Sequence, residues 1–314
     1  MQCAIIIHNK NVNCLNRFDE YKIMELVSAM EDCMIEVSDL SFSYTNKPFI
    51  EKMNFKVSKG EIFGFLGPSG AGKSTLQKIL TGLLKDYEGN SVVNGVESKL
   101  YRRDFYENIG VDFEFPSLYE KLTGRENLIF FGSLYSKKLR DVDGLLNMVG
   151  LQNDGNKKVS DYSKGMKSRL NFIKALLHNP DILFLDEPTS GLDPNNIRDM
   201  KNIILEEKAK NKTIILTTHN MVDAAELCDR VAFIVDGKIK ALDSPHNLIM
   251  SHGAAKIKYT YFDGIEKTRE CLLKNTSEDK KLKELIEKNQ ILSIHSSEPT
   301  LSDIFMEVTG RVLQ

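Results

Sequence analysis

The 314 residues, 41% of them hydrophobic, are enough to bury a full core and predict two domains, or one large domain with an appendage. Lys and Arg number 42 against 44 Asp and Glu, a formal net charge of -2, which offers no global basic field for nucleic acid or anionic lipid. The five cysteines (Cys3, Cys14, Cys33, Cys228, Cys271) lie far apart without a C-x-x-C pair, which fits a reducing cytosol. Apolar runs such as Ala4 to Ile7 and Ile182 to Leu185 fall far short of the roughly 20 residues that span a bilayer. The N-terminus also lacks the long apolar stretch of a signal peptide, so any membrane role is expected to come through a partner.

In chain order, residues 1 to 33 have weak periodicity and read as an extension of unknown use. Within it, Phe18 to Met30 fits either a short amphipathic helix or a packed or frayed segment. A fresh start comes at Met34, where Ile35 and Val37, then Leu40, Phe42 and Tyr44, alternate as a strand does. Glu61 to Leu66, Asp181 to Leu185 and Thr213 to Leu216 are short and mostly apolar, the pattern of strands buried on both faces of a parallel sheet. Between them lie helical stretches. Thr123 and Glu126 predict a capping box opening a helix through Leu128, Phe131 and Leu134, and Asp193 with Pro194 predicts the start of another over 194 to 210. Asp236 and Gly237 predict a hairpin at the sheet's far edge. After Leu248 the mixed charge and the lack of core-like strands predict a small separate α+β lobe; no internal repeat or low-complexity tract is present.

The stretch Gly67, Pro68, Ser69, Gly70, Ala71, Gly72, Lys73, Ser74, Thr75 fits G-x-x-x-x-G-K-[ST] between a predicted strand and a predicted helix. Its glycines let the backbone wrap closely, so that N–H groups and the helix N-terminus hold phosphate oxygens while Lys73 reaches the β and γ phosphates. Ser74 supplies a hydroxyl for Mg²⁺. In D-I-L-F-L-D-E, two acids end a buried strand, where ligands of open α/β sheets bind. Asp186 suits Mg²⁺, directly or through water, and Glu187 suits orientation and deprotonation of an attacking water; alone, the pair also reads as an ordinary strand-end loop.

With these two sites comes Y-S-K-G-M at 162 to 166, and the arrangement resembles the ATP-binding subunits of ABC transporters, whose signature usually reads L-S-G-G-Q. Ser163 and Gly165 match its serine and second glycine, whereas Tyr162, Lys164 and Met166 depart from it. The resemblance implies that Tyr44 stacks on adenine, although a core tyrosine is the reading outside that company. It also implies that S-G-L-D, ending at Asp193, crosses a dimer interface, and that His219 is a switch histidine contacting the γ-phosphate. At Glu114 the family normally holds a glutamine that contacts Mg²⁺ and the attacking water, and there is no glutamine between Gln77 and Gln152. If V-D-F-E-F-P is a strand, the Glu114 carboxylate points away from Phe113 and Phe115, either as a solvated acid or as a Mg²⁺-facing variant of that glutamine.

The implied fold is an α/β P-loop nucleotide triphosphatase of the ABC type. It has a RecA-like core, an antiparallel β subdomain and an α-helical subdomain (about 116 to 176) within an ATPase domain over 34 to 248, then an accessory lobe over 249 to 314. The implied function is Mg²⁺-dependent ATP hydrolysis by two such chains, or this one and a near relative, meeting head to tail and driving a separate permease at the cytoplasmic face of a bacterial membrane. The ending S-E-P-T-L-S-D-I-F-M-E-V-T-G-R is similar to that of daunorubicin-resistance-type drug-exporter ATPases, and I-G-V-D-F-E-F-P-S-L-Y-E-K-L-T-G-R-E-N-L is similar to fluoroquinolone-export members. A rival reading is an ATP-gated regulatory module with little hydrolysis. A soluble relative acting on DNA or the ribosome would show a coiled-coil insertion or tandem halves, and neither is visible.

Overall fold

The computed structural model describes residues 33–311 apart from 46, 253–255 and 298; the expected extension with Phe18 to Met30, Cys3 and Cys14 lies outside the described residues. β1 (Cys33–Phe42) buries Ile35 and Val37, shifts phase at Asp39, whose φ is 50°, and then buries Leu40 and Phe42. The irregularity is a bulge of the kind that re-aims the side chains beyond it. β2 (Ile50–Ser58) pairs antiparallel with β1, and β3 (Ile62–Leu66) then enters a second sheet. After helix α1 (Lys73–Leu80), β4 (Tyr87–Val93) and β5 (Val96–Glu97) complete a four-stranded antiparallel sheet in the order β2-β1-β4-β5.

The central sheet has the order β10-β9-β3-β8-β7-β6, built from β6 (Ile109–Asp112), β7 (Ile182–Asp186), β8 (Thr213–Thr218), β9 (Arg230–Val235) and β10 (Lys238–Asp243). All its pairings are parallel except the hairpin of β9 and β10. Period-two alternation divides its side chains between two cores. Phe63, Phe65, Phe184 and Ile215 face the antiparallel sheet and α1, whereas Ile62, Leu66, Leu183, Leu185, Ile214 and Leu216 face the other layer.

That other layer holds the segment between β6 and β7. A single turn, α2 (Arg103–Tyr106), precedes β6; then come α3 (Gly124–Gly132), α4 (Val142–Met148) and α5 (Lys164–Leu176), which bury Leu128, Leu145, Leu146, Leu170 and Phe172. The Thr123 capping box forms as expected, but α3 stops at Gly132. There the Ser133 amide is shared between the Ile129 and Phe130 carbonyls and the Leu134 amide bonds only three residues back, to Phe131, tightening the last turn, and Leu134 stands outside the helix and exposed. α6 (Pro194–Ala209) starts behind its Asp193 cap with Pro194 at its first position.

Beyond α7 (Met221–Leu227), β10 and α8 (Pro245–His252), the chain forms β11 (Lys256–Phe262), β12 (Glu266–Leu272), α9 (Lys280–Glu287) and β13 (Ile291–Ser297). The three strands make an antiparallel sheet with Tyr259 and Tyr261 packed on Leu282 and Leu285 of α9. The sequence hid these strands because one face of β11 carries Lys256 and Lys258 in place of apolar side chains. The last helix, α10 (Leu301–Thr309), does not stay with this sheet: Leu301, Ile304 and Phe305 join the large core beside α7 and α8. The expectation that residues 249 to 314 form one separate lobe is corrected to that extent. Apolar residues at helical spacing found a larger core to enter than the small sheet offers.

Candidate nucleotide site

The loop between β3 and α1 is shaped by close approach. A Cβ on Gly67 would stand 2.1 Å from the Ile234 carbonyl oxygen, and Gly70 and Gly72 hold φ values of 80° and 110° that side-chained residues rarely adopt. α1 begins without a side-chain cap and without an acid in its first turn, so its leading N–H groups stay available to an anion. The Lys73 ammonium donates to the carbonyls of Gly67 at 2.7 Å and Pro68 at 3.1 Å. Burial pushes its pKa down, against the opposing pull of Glu187, Asp186 and Glu114.

Asp186 and Glu187 come from the end of β7, and the facing residues of β8 hold them. The Thr217 hydroxyl donates to Asp186, the Thr218 hydroxyl donates to Glu187 Oε2 at 3.1 Å, and His219 Nδ1 lies 2.8 Å from Glu187 Oε1. Glu187 takes a left-handed backbone, φ 52°, with its amide bonded to the Thr217 carbonyl at 2.9 Å. A non-glycine residue in that region costs free energy, which the three bonds to β8 and His219 offset.

A cleft of about 270 Å³ is lined by Phe49, Ser69, Gly70, Gly72, Lys73, Ser74, Thr75, Glu114, Asp186, Glu187 and His219. Glu114 reaches it from a bend, because β6 ends at Asp112. The strand reading of V-D-F-E-F-P is therefore corrected past Asp112. Asp112 is buried, with its carboxyl pushed up to about 7 chiefly by desolvation, and it accepts a hydrogen bond from Asn171 of α5. The same amide group donates to the Phe113 carbonyl at 3.3 Å, at the point where the chain leaves the sheet.

Tyr44 lies beyond β1 and is exposed, which excludes the core-tyrosine reading. Its hydroxyl sits 3.0 Å from Thr75 Oγ1, and its ring stands edge-on to Phe49, 5.4 Å between centroids. Ser163, Gly165 and Asp193 are not among the cleft's lining residues. Ser163 caps α5, its hydroxyl accepting from the Met166 amide at 3.2 Å, and Asp193 caps α6. Sequence reading missed Phe49, Thr217, Thr218 and the Asp112–Asn171 pair. Thr217 and Thr218 stood beside His219 in T-T-H, but their partners are set by strand pairing rather than by spacing.

These features define a P-loop nucleotide triphosphatase of the ABC type. The family model for ABC transporters matches residues 50–190. The chain is 48% identical over 285 residues to a fluoroquinolones export ATP-binding protein of Mycobacterium tuberculosis, covering 89% of this chain and 94% of that one. It is 33% identical over 321 residues to Nod factor export ATP-binding protein I of Rhizobium etli, covering 96% and 99%. A solved ATP binding subunit of an ABC transporter superposes with a TM-score of 0.64 at 31% identity, covering 69% of this chain and 92% of that one. The chain belongs to the ATP-binding, ATP-hydrolysing subunits of ABC transporters.

Proposed function

We propose that this chain is the ATP-hydrolysing motor of a bacterial exporter for drug-like or other amphiphilic compounds, acting at the cytoplasmic face of the membrane through a separate permease. The 48% likeness to a fluoroquinolones export protein supports the export of such cargo. No helix among the described residues is long and apolar enough to cross a membrane, in keeping with a permease carried on another chain.

The observation that carries hydrolysis over mere binding is Glu187, held by Thr218 and His219 on the wall of the cleft that Lys73 also lines. A carboxylate so fixed accepts the proton of a water attacking the γ-phosphate, and His219 holds it in position. Lys73 binds the β and γ phosphates, and Tyr44 with Phe49 receives the base. Ser74 and Asp186 are hard oxygen donors on the same cleft and fit Mg²⁺, with Glu114 as a further carboxylate. When bound, Mg²⁺ neutralises charge on the phosphates. Ser163, Gly165 and Asp193, outside this cleft, complete the site of a second copy or a close relative placed head to tail, with the Ser163-capped start of α5 facing the triphosphate.

The test is steady-state hydrolysis with Mg²⁺. Glu187→Gln keeps the size and hydrogen bonding of the side chain and removes the base, so turnover is expected to fall at least about 100-fold while ATP still binds. Unchanged turnover would overturn the assignment.

A further inference from the structure

The hairpin turn between β9 and β10 stands directly behind the phosphate loop. Asp236 and Gly237 both adopt left-handed backbone, φ 49° and 71°, as a two-residue hairpin turn requires. The Gly237 amide donates to the Ala71 carbonyl of the loop at 3.2 Å, and the Gly237 carbonyl accepts from the Glu51 amide at 3.0 Å. A Cβ at Gly237 would lie 1.9 Å from the Phe49 carbonyl oxygen, so only glycine fits. The turn thus ties the phosphate loop to the start of β2, beside Phe49. A peptide unit is planar and trans, so pinning the Ala71 carbonyl also fixes the direction of the Gly72 N–H at the head of α1.

From the other side, the turn is held by the C-terminal helix. Phe305 of α10 packs edge-on against Phe233 of β9, 5.1 Å between centroids, one residue before the Ile234 carbonyl that meets Gly67. α10 ends at Gly310 in a left-handed conformation, and the next residue, Arg311, pairs its guanidinium with Asp236 at 2.8 Å.

We propose that Arg311 and Asp236 are positioning residues for nucleotide: the C-terminal helix, through this turn, sets the geometry of the phosphate loop and so tunes nucleotide affinity without touching the cleft. The inference rests on the loop binding a nucleotide, and Lys73→Ala, which removes the phosphate-facing charge itself, is the control that separates failure of that reading from failure of this one. Both side chains of the Arg311–Asp236 pair are exposed, so its effect is small and graded rather than all-or-none.

The experiment is a calorimetric titration of the full chain with ADP, which engages the phosphate loop without calling on Ser163 of a second copy. Arg311→Ala and Asp236→Asn are each expected to weaken ADP binding about two- to fivefold. Asparagine tolerates the left-handed backbone, so that second variant removes the charge without straining the turn. Arg311→Lys should stay near the parent, and the double variant should be no weaker than either single, because both act through one contact. The thermal midpoint without nucleotide should stay near that of the parent. Equal ADP affinity in Arg311→Ala and the parent, additive losses in the double variant, or a loss that only tracks the unfolded fraction would overturn the proposal.

Discussion

If Glu114 takes the place of the family's glutamine, a neutral amide that offers both a donor and an acceptor is replaced by a carboxylate, which when ionised only accepts. Glu114 shares the cleft with Asp186 and Glu187 and with the Lys73 ammonium, which interacts with all three acids, and the Mg²⁺ proposed above would add a second cation among them. Glu114→Gln is expected to keep hydrolysis with a changed Mg²⁺ dependence, whereas Glu114→Ala loses hydrolysis or its coupling to transport. Matched ATPase rates for Glu114→Ala and the parent across a Mg²⁺ titration, with matched transport, would return Glu114 to an ordinary solvated acid. One helical turn past Lys73, Gln77 is fully buried and neither amide atom has a hydrogen-bond partner among the described residues. An unmade hydrogen bond in the core is destabilising, so Gln77→Met, of similar volume, should stabilise the chain by about 1 to 3 kcal/mol in urea unfolding. A loss of stability would mean that the amide has a use that the packing does not reveal.

Among the elements, the ones carrying chemistry in contiguous residues were legible. The phosphate loop is one uninterrupted stretch whose glycines and lysine act through local backbone geometry, and the Asp193 and Thr123 caps act within a single helical turn. What depends on strand adjacency was not legible: Thr217 and Thr218 meet Asp186 and Glu187 only because β8 lies beside β7. Glu114 lines the cleft from a bend after β6, beside a Phe113 carbonyl that accepts from Asn171 of α5, 58 residues away in sequence.

His178 joins three elements in a way that spacing also concealed. Its Nε2 lies 2.8 Å from the Ile109 carbonyl of β6, and its ring stacks on Tyr135 just after α3, 3.7 Å between centroids. Burial pushes its pKa from 6.5 down to about 4; Glu107 pulls upward, and Lys137 and Lys212 push further down. Between those values the unfolded chain binds a proton that the folded chain refuses. Stability should therefore be full above about pH 6.5 and fall toward pH 4 by on the order of 3 kcal/mol. His178→Gln should flatten that acid limb of the unfolding profile. An equally steep limb in the variant would assign the loss to other groups.

At the scale of the whole molecule, the proposed head-to-tail arrangement has one chain present half of each composite site. Its own cleft holds Lys73, Glu114, Asp186, Glu187 and His219, while Ser163, Gly165 and Asp193 lie elsewhere on it. Two copies placed head to tail would pair each half with its complement, and a ligand bound by both surfaces favours the closed form by mass action. Hydrolysis removes the γ-phosphate that both halves hold, so the dimer should open after each turnover and pull on the permease. The C-terminal helix packs on β9 through Phe305 and reaches the hairpin turn through Arg311 rather than staying with the small sheet before it, so the proposal above would include it in this cycle. The most direct test is sedimentation velocity on Glu187→Gln with and without Mg²⁺ and ATP, because that variant should bind without resolving the closed state. The account predicts a monomer without nucleotide and a dimer with it, abolished by adding Lys73→Ala. A monomer under saturating ATP would contradict it.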